Sequence, residues 1–175
     1  MDAGSPLVAV LAGVLGAILG LAADRFAVRW PEHDPDDAEH LGATHIIDTA
    51  TLTGAVGRAL GNLVTGAFGQ PQGFYDEVMA AADLAGERYW QLPLIEDYVP
   101  EMDSWYGDLQ NSGTAEGSLV RSGLFLREFV TKPWVHLDIA GTAYLRKPTA
   151  WAPRGATGVS HATLVELALA GARPS

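Results

Sequence analysis

Two side chains in the segment "PWVHLDIAG" have the types and spacing that acid–base chemistry requires. His136 and Asp138 are two residues apart, and residues at that spacing face the same side of an extended strand. A histidine beside a carboxylate is the arrangement of a general base and the group that orients it. The same pair could equally be hydrogen-bonded inside a core. The sequence of this segment alone leaves both interpretations open.

A second group of polar side chains, in "PEHDPDDAEHLG" at residues 31–42, has the types that bind metal ions. The candidate ligands are His33, Asp34, Asp36, Asp37, Glu39 and His40. A metal site needs surrounding groups that fix the geometry of its ligands, and two prolines interrupt this segment. A run of acids next to prolines is typical of a solvated linker. We therefore predict an acidic linker here rather than a metal centre.

The composition of the 175-residue chain limits the kind of protein that it can be. It is 48% hydrophobic and 18% charged, with a formal net charge of −10 and no cysteine. Such a composition predicts one globular domain. The negative charge argues against a nucleic-acid partner, which would require clustered lysine and arginine, and it is compatible with a cationic ligand. The lack of cysteine excludes disulfides, thiolate metal sites and a cysteine nucleophile.

The first 30 residues differ from the rest. Residues 6–23, "PLVAVLAGVLGAILGLAA", carry no charge, and as a helix they would measure roughly 25 to 27 Å. This length predicts a transmembrane helix, and the arginines that follow place the C-terminal domain in the cytoplasm, anchored to the inner membrane. A signal peptide and a buried helix are the alternatives. The segment through "ADRFAVRWPEH" resembles the first helix of prepilin peptidases, but is too short to indicate an activity.

From residue 43 onward the pattern is α/β. Buried strands are predicted at "THIIDTA" and "PWVHLDIAG". Helices are predicted at "YDEVMAAADLAGERYW", "PLIEDYVPEMDS", "SLVRSGLFLREFV" and "SHATLVELALAGA", the last capped by Ser160 and stopped by Gly171. The apolar faces predicted for the first and third helices comprise Val78, Met79, Ala82, Leu84, Ala85, Leu119, Leu124, Phe125 and Phe129.

Six blocks of this region carry a family resemblance. They are "IDTATLTGAVGRALG", "LPLIEDY", "DLQNSG", "GSLVRSGLFLREFV", "WVHLDIAGTA" and "GATGVSHATLVELAL". In this order and spacing, residues 41–170 resemble the C-terminal part of the catalytic domain of the leucine aminopeptidase (cytosol aminopeptidase) family. The resemblance implies a central mixed sheet flanked by helices, of which residues 43–175 would form a part. It also implies a hexamer and removal of N-terminal residues, often leucine, by two zinc or manganese ions.

The resemblance assigns a role to two turns. In the family, "ATLTG" forms one wall of the substrate cleft and "AGTA" the other, which implies substrate contacts from Thr51, Leu52, Gly54, Ala140 and Ala143. Glycine lets the backbone approach a ligand closely, and the alanines leave room for a leucine side chain, whose burial is worth about 2 kcal/mol. The alternative is that both turns are only tight strand-to-loop corners. In the family the strand with His136 and Asp138 is structural, which favours a core role for that pair.

The two metal-binding motifs of the family are not recognisable in this chain. One has the form "GKGxxFDSGG", and no lysine precedes Lys132. The other has the form "NTDAEGR". Residues 37–39 match the "DAE" part of this motif, but His40 and Leu41 occupy the positions where the family has glycine and arginine. We therefore predict no catalytic residue, no metal ligand and no cofactor in this chain.

These observations predict a leucine aminopeptidase-like chain that is inactive alone. Another polypeptide would supply the metal centre, or the sequence would be a truncated or joined reading frame. The alternative function is a membrane-tethered, non-catalytic module for peptide binding or assembly. The expected partners are a peptide N-terminus, further copies of the chain and a membrane contacted through residues 6–23, but no nucleic acid.

Overall fold

A mixed β-sheet organises the part of the chain that the computed structural model describes, residues 9–11, 43–150 and 152–171. Its strands are β1 (Ala9–Leu11), β2 (Ile46–Ala50), β3 (Thr65–Gln70), β4 (Tyr89–Gln91) and β5 (Trp134–Asp138), in the order β1-β2-β5-β3-β4. Four strands, β2 to β5, form its body, and the three-residue β1 lies parallel to β2 at one edge. Strand β3 is antiparallel to β5 and parallel to β4, whereas β2 and β5 are parallel. This is the mixed α/β sheet that the resemblance implies.

Five helices accompany this sheet within the described ranges. They are α1 (Gly54–Leu60), α2 (Gln72–Ala85), a 3-10 helix (Glu96–Met102), α3 (Ser118–Arg127) and α4 (His161–Gly171). Two short strands, β6 (Tyr144–Leu145) and β7 (Gly155–Ala156), form a separate antiparallel pair. The strands and helices predicted from residue 43 onward are all present, but the prediction extended the first of these helices too far. It ends at Gly86, which adopts a left-handed conformation with a φ of 71°, and the chain then enters β4.

The core lies between the sheet and α2. Every residue of β5 is buried, as expected for a strand with neighbours on both sides and covered faces. Ile47, Val135 and Leu137 pack with side chains of α2, among them Val78 and Phe74. The apolar residues Ile47, Val135 and Leu137 of β2 and β5 are therefore explained by their place in this core.

Two residues of the predicted apolar faces are exposed. Leu84 is 71% exposed and Phe129 is 62% exposed, so their predicted burial is wrong. The buried positions of α2 include Val78, Ala81 and Ala82, and Leu84 lies on the opposite side of a helix with 3.6 residues per turn. Phe129 lies beyond the end of α3, where the helical spacing no longer applies.

The predicted N-terminal helix falls almost entirely outside the described residues, as does the predicted linker at 31–42. At Ala9–Leu11 the structure has a strand instead of a helix. No helix within the described ranges is both long enough and apolar enough to cross a membrane.

The first turn of α4 is capped by a side chain from a distant part of the sequence. The carboxylate of Glu87 accepts hydrogen bonds from the backbone N–H groups of Ser160, at 2.8 Å, and Thr163, at 3.0 Å. The Ser160 hydroxyl instead accepts a 3.0 Å hydrogen bond from Tyr89. The capping role predicted for Ser160 is therefore wrong, because the carboxylate satisfies these amides and suits the positive end of the helix dipole. The described part of this helix runs to Gly171, and the predicted stop at that residue is not tested because the residues after it lie outside the described ranges.

Tyr89, which lies beside this cap, should make stability fall in strong alkali. Burial raises the pKa of Tyr89 to about 12. The folded protein therefore keeps this phenolic proton to about pH 12, whereas an unfolded chain loses it near pH 10. Its contribution is fully present below pH 10 and disappears as the pH rises through 12, a loss of up to about 2.5 kcal/mol. Urea unfolding at several pH values between about 8 and 12 would measure it.

The control for this expectation is Tyr89→Phe. Burial also raises the pKa of Tyr75 to about 12, so the wild-type protein has more than one source of alkaline destabilisation. The difference between the two proteins isolates Tyr89, and the variant should lose less stability over the same range. Equal pH slopes in the two proteins would contradict the expectation.

Candidate functional site

Asp138, at the end of β5, joins the two turns that the sequence analysis selected. Its carboxylate accepts hydrogen bonds from the backbone N–H groups of Leu52, at 3.2 Å, and Ala140, at 3.1 Å. It also accepts from the Thr53 hydroxyl at 2.7 Å and from the Thr53 N–H at 3.4 Å. Strands β2 and β5 are parallel neighbours, so the turns that follow them meet at one edge of the sheet. Ligands of α/β proteins commonly bind at such carboxyl ends of strands.

The carboxylate of Asp138 is fully buried. Burial raises its pKa above the ordinary aspartate range, while the hydrogen bonds from Thr53 and Ala140 act in the opposite direction. With donors from both turns around it, this carboxylate has a positioning role. It holds the turns together rather than facing a ligand.

A cleft of about 1200 Å³ opens beside the joined turns. Two of the predicted contact residues, Gly54 and Ala140, line it, and Thr53 and Gly141 lie between or beside them. The structure therefore brings one residue from each predicted wall to a single cavity.

The other three predicted contact residues lie next to this cleft without lining it. Thr51 is exposed, and Leu52 is partly buried with its N–H bound to Asp138. Ala143 is partly buried, and its N–H donates a 2.8 Å hydrogen bond to the carbonyl of Ile139. Contact of all five residues with a peptide remains a prediction.

Thr53 is a site residue that the sequence analysis did not select. Its side-chain oxygen accepts a 3.0 Å hydrogen bond from the backbone N–H of Val56 and so caps α1. The same hydroxyl donates to Asp138. A threonine directly before "GAVG" is a helix N-cap signal that could have indicated the first of these two roles.

Close backbone approach between α1 and the "AGTA" turn forms the floor of the cleft. A Cβ on Gly141 would overlap the carbonyl oxygen of Gly61 and would lie 3.4 Å from the Cα of Gly57. All three glycines line the cleft. The sequence analysis missed Gly57, Gly61 and Gly141, because neither segment indicates by itself that it faces the other.

His136 and Asp138 do not form the acid–base pair that their spacing allowed. The Nδ1 atom of His136 is hydrogen-bonded to Asp48, its neighbour in register on β2. Asp48 also accepts a 2.6 Å hydrogen bond from the Trp134 indole N–H. His136 is fully buried between the rings of Phe68 and Trp134, with ring centroids 6.3 and 6.2 Å away. The general-base interpretation is therefore wrong, and the structure supports the core role.

The described residues do not fit a two-metal centre. Two-metal hydrolysis requires several carboxylates that clamp a pair of ions. In the described part of the chain, no three histidine, aspartate or glutamate side chains come together in a way that could hold even one metal ion. The acids of the predicted linker lie outside those ranges.

Fold and site together define an α/β domain with a cleft at the carboxyl ends of two parallel strands. The cytosol aminopeptidase family, catalytic domain, matches residues 36–165, and the chain belongs to this family. Over 133 residues it is 45% identical to a probable cytosol aminopeptidase of Solibacter usitatus, covering 75% of this chain and 28% of the relative. Over 133 residues it is 49% identical to one of Bacillus subtilis, covering 75% of this chain and 27% of the relative. The chain thus spans about a quarter of the length of these relatives.

Solved structures give the same result. The bottromycin maturation enzyme BotP matches with a TM-score of 0.73 and 34% identity, over 78% of this chain and 31% of BotP. A tomato leucine aminopeptidase mutant matches with a TM-score of 0.70 and 39% identity, over 76% of this chain and 26% of that protein. BotP has also been solved in complex with Mn, and that structure matches with a TM-score of 0.70 and 36% identity, over 73% of this chain and 29% of that chain. The family therefore includes a member that binds a divalent metal.

Proposed function

We propose that this chain forms the substrate-binding side of a leucine aminopeptidase-like site and holds the N-terminal residue of a peptide between the two turns. The observation that carries the proposal is the set of hydrogen bonds to Asp138. These bonds fix the turns to each other, so that Gly54 and Ala140 line one cleft. Membership in the cytosol aminopeptidase family supports the same assignment.

The size of the residues at the turns suits an aliphatic first side chain. Gly54 has no Cβ, and Ala140 has only a methyl group, so the cleft keeps room for a side chain as large as leucine. Burial of such a side chain contributes about 2 kcal/mol. In this proposal the neighbouring Thr51, Leu52 and Ala143 complete the contact with the peptide.

We propose further that the chain alone does not hydrolyse peptides. The reaction of the family would use two zinc or manganese ions, and the described residues offer no group of ligands for them. The ions and the residues that hold them would then lie outside the residues described. On this proposal the described residues bind and orient the substrate, while proton transfer and attack on the peptide bond depend on groups outside them.

A second candidate function is assembly. Trp90 is 65% exposed, Trp105 is 96% exposed and Tyr106 is fully exposed. Large aromatic side chains in water indicate a contact surface for another chain. A non-catalytic module of this kind, whether hexameric like the family or tethered through residues 6–23, would use these exposed side chains rather than the cleft.

Leucinamide is the probe that tests these proposals. We expect the purified chain to bind it, measured by titration calorimetry, and to release no product from a chromogenic leucyl amide with added manganese or zinc. Ala140→Trp should weaken leucinamide binding at least about tenfold because the indole fills the pocket. Ala59→Trp, on an exposed part of α1 outside the cleft, makes the same change and should bind normally.

Several outcomes would contradict parts of this scheme. Hydrolysis that a chelator abolishes would overturn the inactivity of the chain alone. Equal leucinamide binding by both tryptophan variants would overturn the pocket, provided that circular dichroism shows both to be folded. A defined oligomer in light scattering, without leucinamide binding, would favour assembly instead.

A further inference from the structure

The cleft beside the joined turns is cationic, although the chain has a net charge of −10. Four basic side chains line it: Arg58, Arg146, Lys147 and Arg154. Among the described residues that line it there is no aspartate or glutamate. We call these four residues the cationic rim. Four positive side chains thus lie together in one cleft of a protein whose net charge is negative. This local charge suggests a functional role.

The cationic rim begins at the predicted pocket and continues away from it. Arg58 lies in the last turn of α1, and its Nη1 atom would be 3.5 Å from a Cβ on Gly54. Arg146 and Lys147 directly follow β6, and Arg154 directly precedes β7, its antiparallel partner. The pairing of β6 with β7 therefore holds the other three cations on the same side of the cleft.

Two other arginines in the described ranges are, by contrast, paired with acids. Arg121 is ion-paired with Glu101, and Arg127 is ion-paired with Glu96. Within the described ranges no residue of the cationic rim has such a carboxylate partner. Unbalanced cations in a concave surface concentrate the field and raise the local concentration of anions. Arginine in particular binds carboxylates through paired N–H donors.

We propose that the cationic rim binds a carboxylate of the same peptide whose first residue occupies the pocket, so that the cleft selects peptides with an anion a few residues from the N-terminus. This inference rests on the proposed function. The cleft volume of about 1200 Å³ exceeds the roughly 300 to 1,000 Å³ of a typical small-molecule site. It therefore has room for several residues beyond the first.

The chemistry favours a carboxylate over other anions. Every short peptide with a free C-terminus carries this group, and an acidic side chain near the N-terminus supplies the same one. A nucleic acid would bring many phosphates against a protein of the same sign of charge. The ligand class is thus a short peptide with a free C-terminus, or a longer one with an early acidic residue.

Titration calorimetry with the full chain tests this proposal. Leucylglycylglycine with a free carboxylate should bind about tenfold more tightly than its C-terminal amide, a difference of about 1.4 kcal/mol. Arg58→Gln and Arg154→Gln should reduce binding of the acid towards that of the amide. Arg88→Gln removes an exposed arginine outside this cleft and should leave both affinities unchanged. Affinity for the acid should fall with added salt.

Two further peptides show whether the bound carboxylate belongs to the C-terminus or to a side chain. They also test the cationic rim separately from the proposed pocket for the N-terminal residue. If leucylglycylglutamate amide binds like the free acid, a side-chain carboxylate is sufficient. If it binds like the amide, the C-terminus is the ligand, and both results support the rim. Tight binding of N-acetyl-leucylglycylglycine with a free carboxylate would support the cationic rim but overturn recognition of the N-terminus. Equal binding of acid and amide would overturn the rim and leave the pocket intact, whereas no binding of either would overturn both.

Discussion

Asp138→Ala is expected to destabilise the fold by roughly 3 to 5 kcal/mol, because it leaves partly buried donors from both turns without an acceptor. Leu52, Thr53 and Ala140 all donate to this carboxylate. Each unsatisfied buried donor costs about 1 to 3 kcal/mol, and the separate costs do not add fully because the donors share one acceptor. Urea denaturation followed by tryptophan fluorescence would measure the loss of unfolding free energy.

The functional consequence of this variant should be separable from its effect on stability. Once Asp138 is removed, the hydrogen bonds that hold the "ATLTG" turn to the "AGTA" turn through its carboxylate are lost, so leucinamide binding should fall at least about tenfold under conditions where the variant is still folded. Asp138→Asn keeps the shape and one oxygen acceptor, and should lose about half as much stability. Asp83→Ala, at an exposed position on α2, should change stability by no more than about 0.5 kcal/mol. A loss below about 1 kcal/mol for Asp138→Ala would show that water replaces the carboxylate and that the turns do not depend on it.

The central strands and the family could be read from the sequence because their signals are local. β2 and β5 are short segments rich in apolar residues, and each of the six matched blocks is continuous. β3 was not predicted, since "TGAFGQ" contains two glycines and lacks an apolar run. Its glycines serve packing, because a Cβ on Gly66 would lie 2.8 Å from a Val56 methyl group and one on Gly69 would lie 2.9 Å from the Tyr75 ring. Such a requirement becomes visible only when the neighbouring side chains are in place.

The parts of the site that could be predicted likewise depend on local sequence signals, and the parts that could not depend on contacts between distant residues. Gly54 and Ala140 were selected through the resemblance, and both line the cleft. The link between them depends on contacts between positions 52 and 138, which are 86 residues apart in sequence, and no local pattern encodes that distance. For His136, alternation along one strand suggested Asp138 as partner, whereas the parallel register of two strands placed Asp48 beside it.

Gly141→Ala should have an effect comparable to that of Asp138→Ala, because the new methyl group would overlap backbone rather than a movable side chain. The nearest atom is the carbonyl oxygen of Gly61, at the end of α1. To relieve the overlap, the "AGTA" turn and α1 would have to separate, and we expect a loss of roughly 2 to 4 kcal/mol by analogy with overpacked cores. The separation would also change the floor of the cleft, so leucinamide should bind more weakly at equal folded fraction.

Gly73→Ala provides the matched control for Gly141→Ala. Gly73 lies in α2, and a Cβ at this position would have no atom within 4 Å. Alanine favours a helix over glycine by about 0.5 to 1 kcal/mol, so this variant should be slightly more stable than the wild type. The same chemical change is therefore expected to act with opposite sign at the two positions. If Gly141→Ala kept the stability and the leucinamide affinity of the wild type, α1 would be able to move away from the new methyl group at little cost. The rigid floor inferred for the cleft would then be wrong.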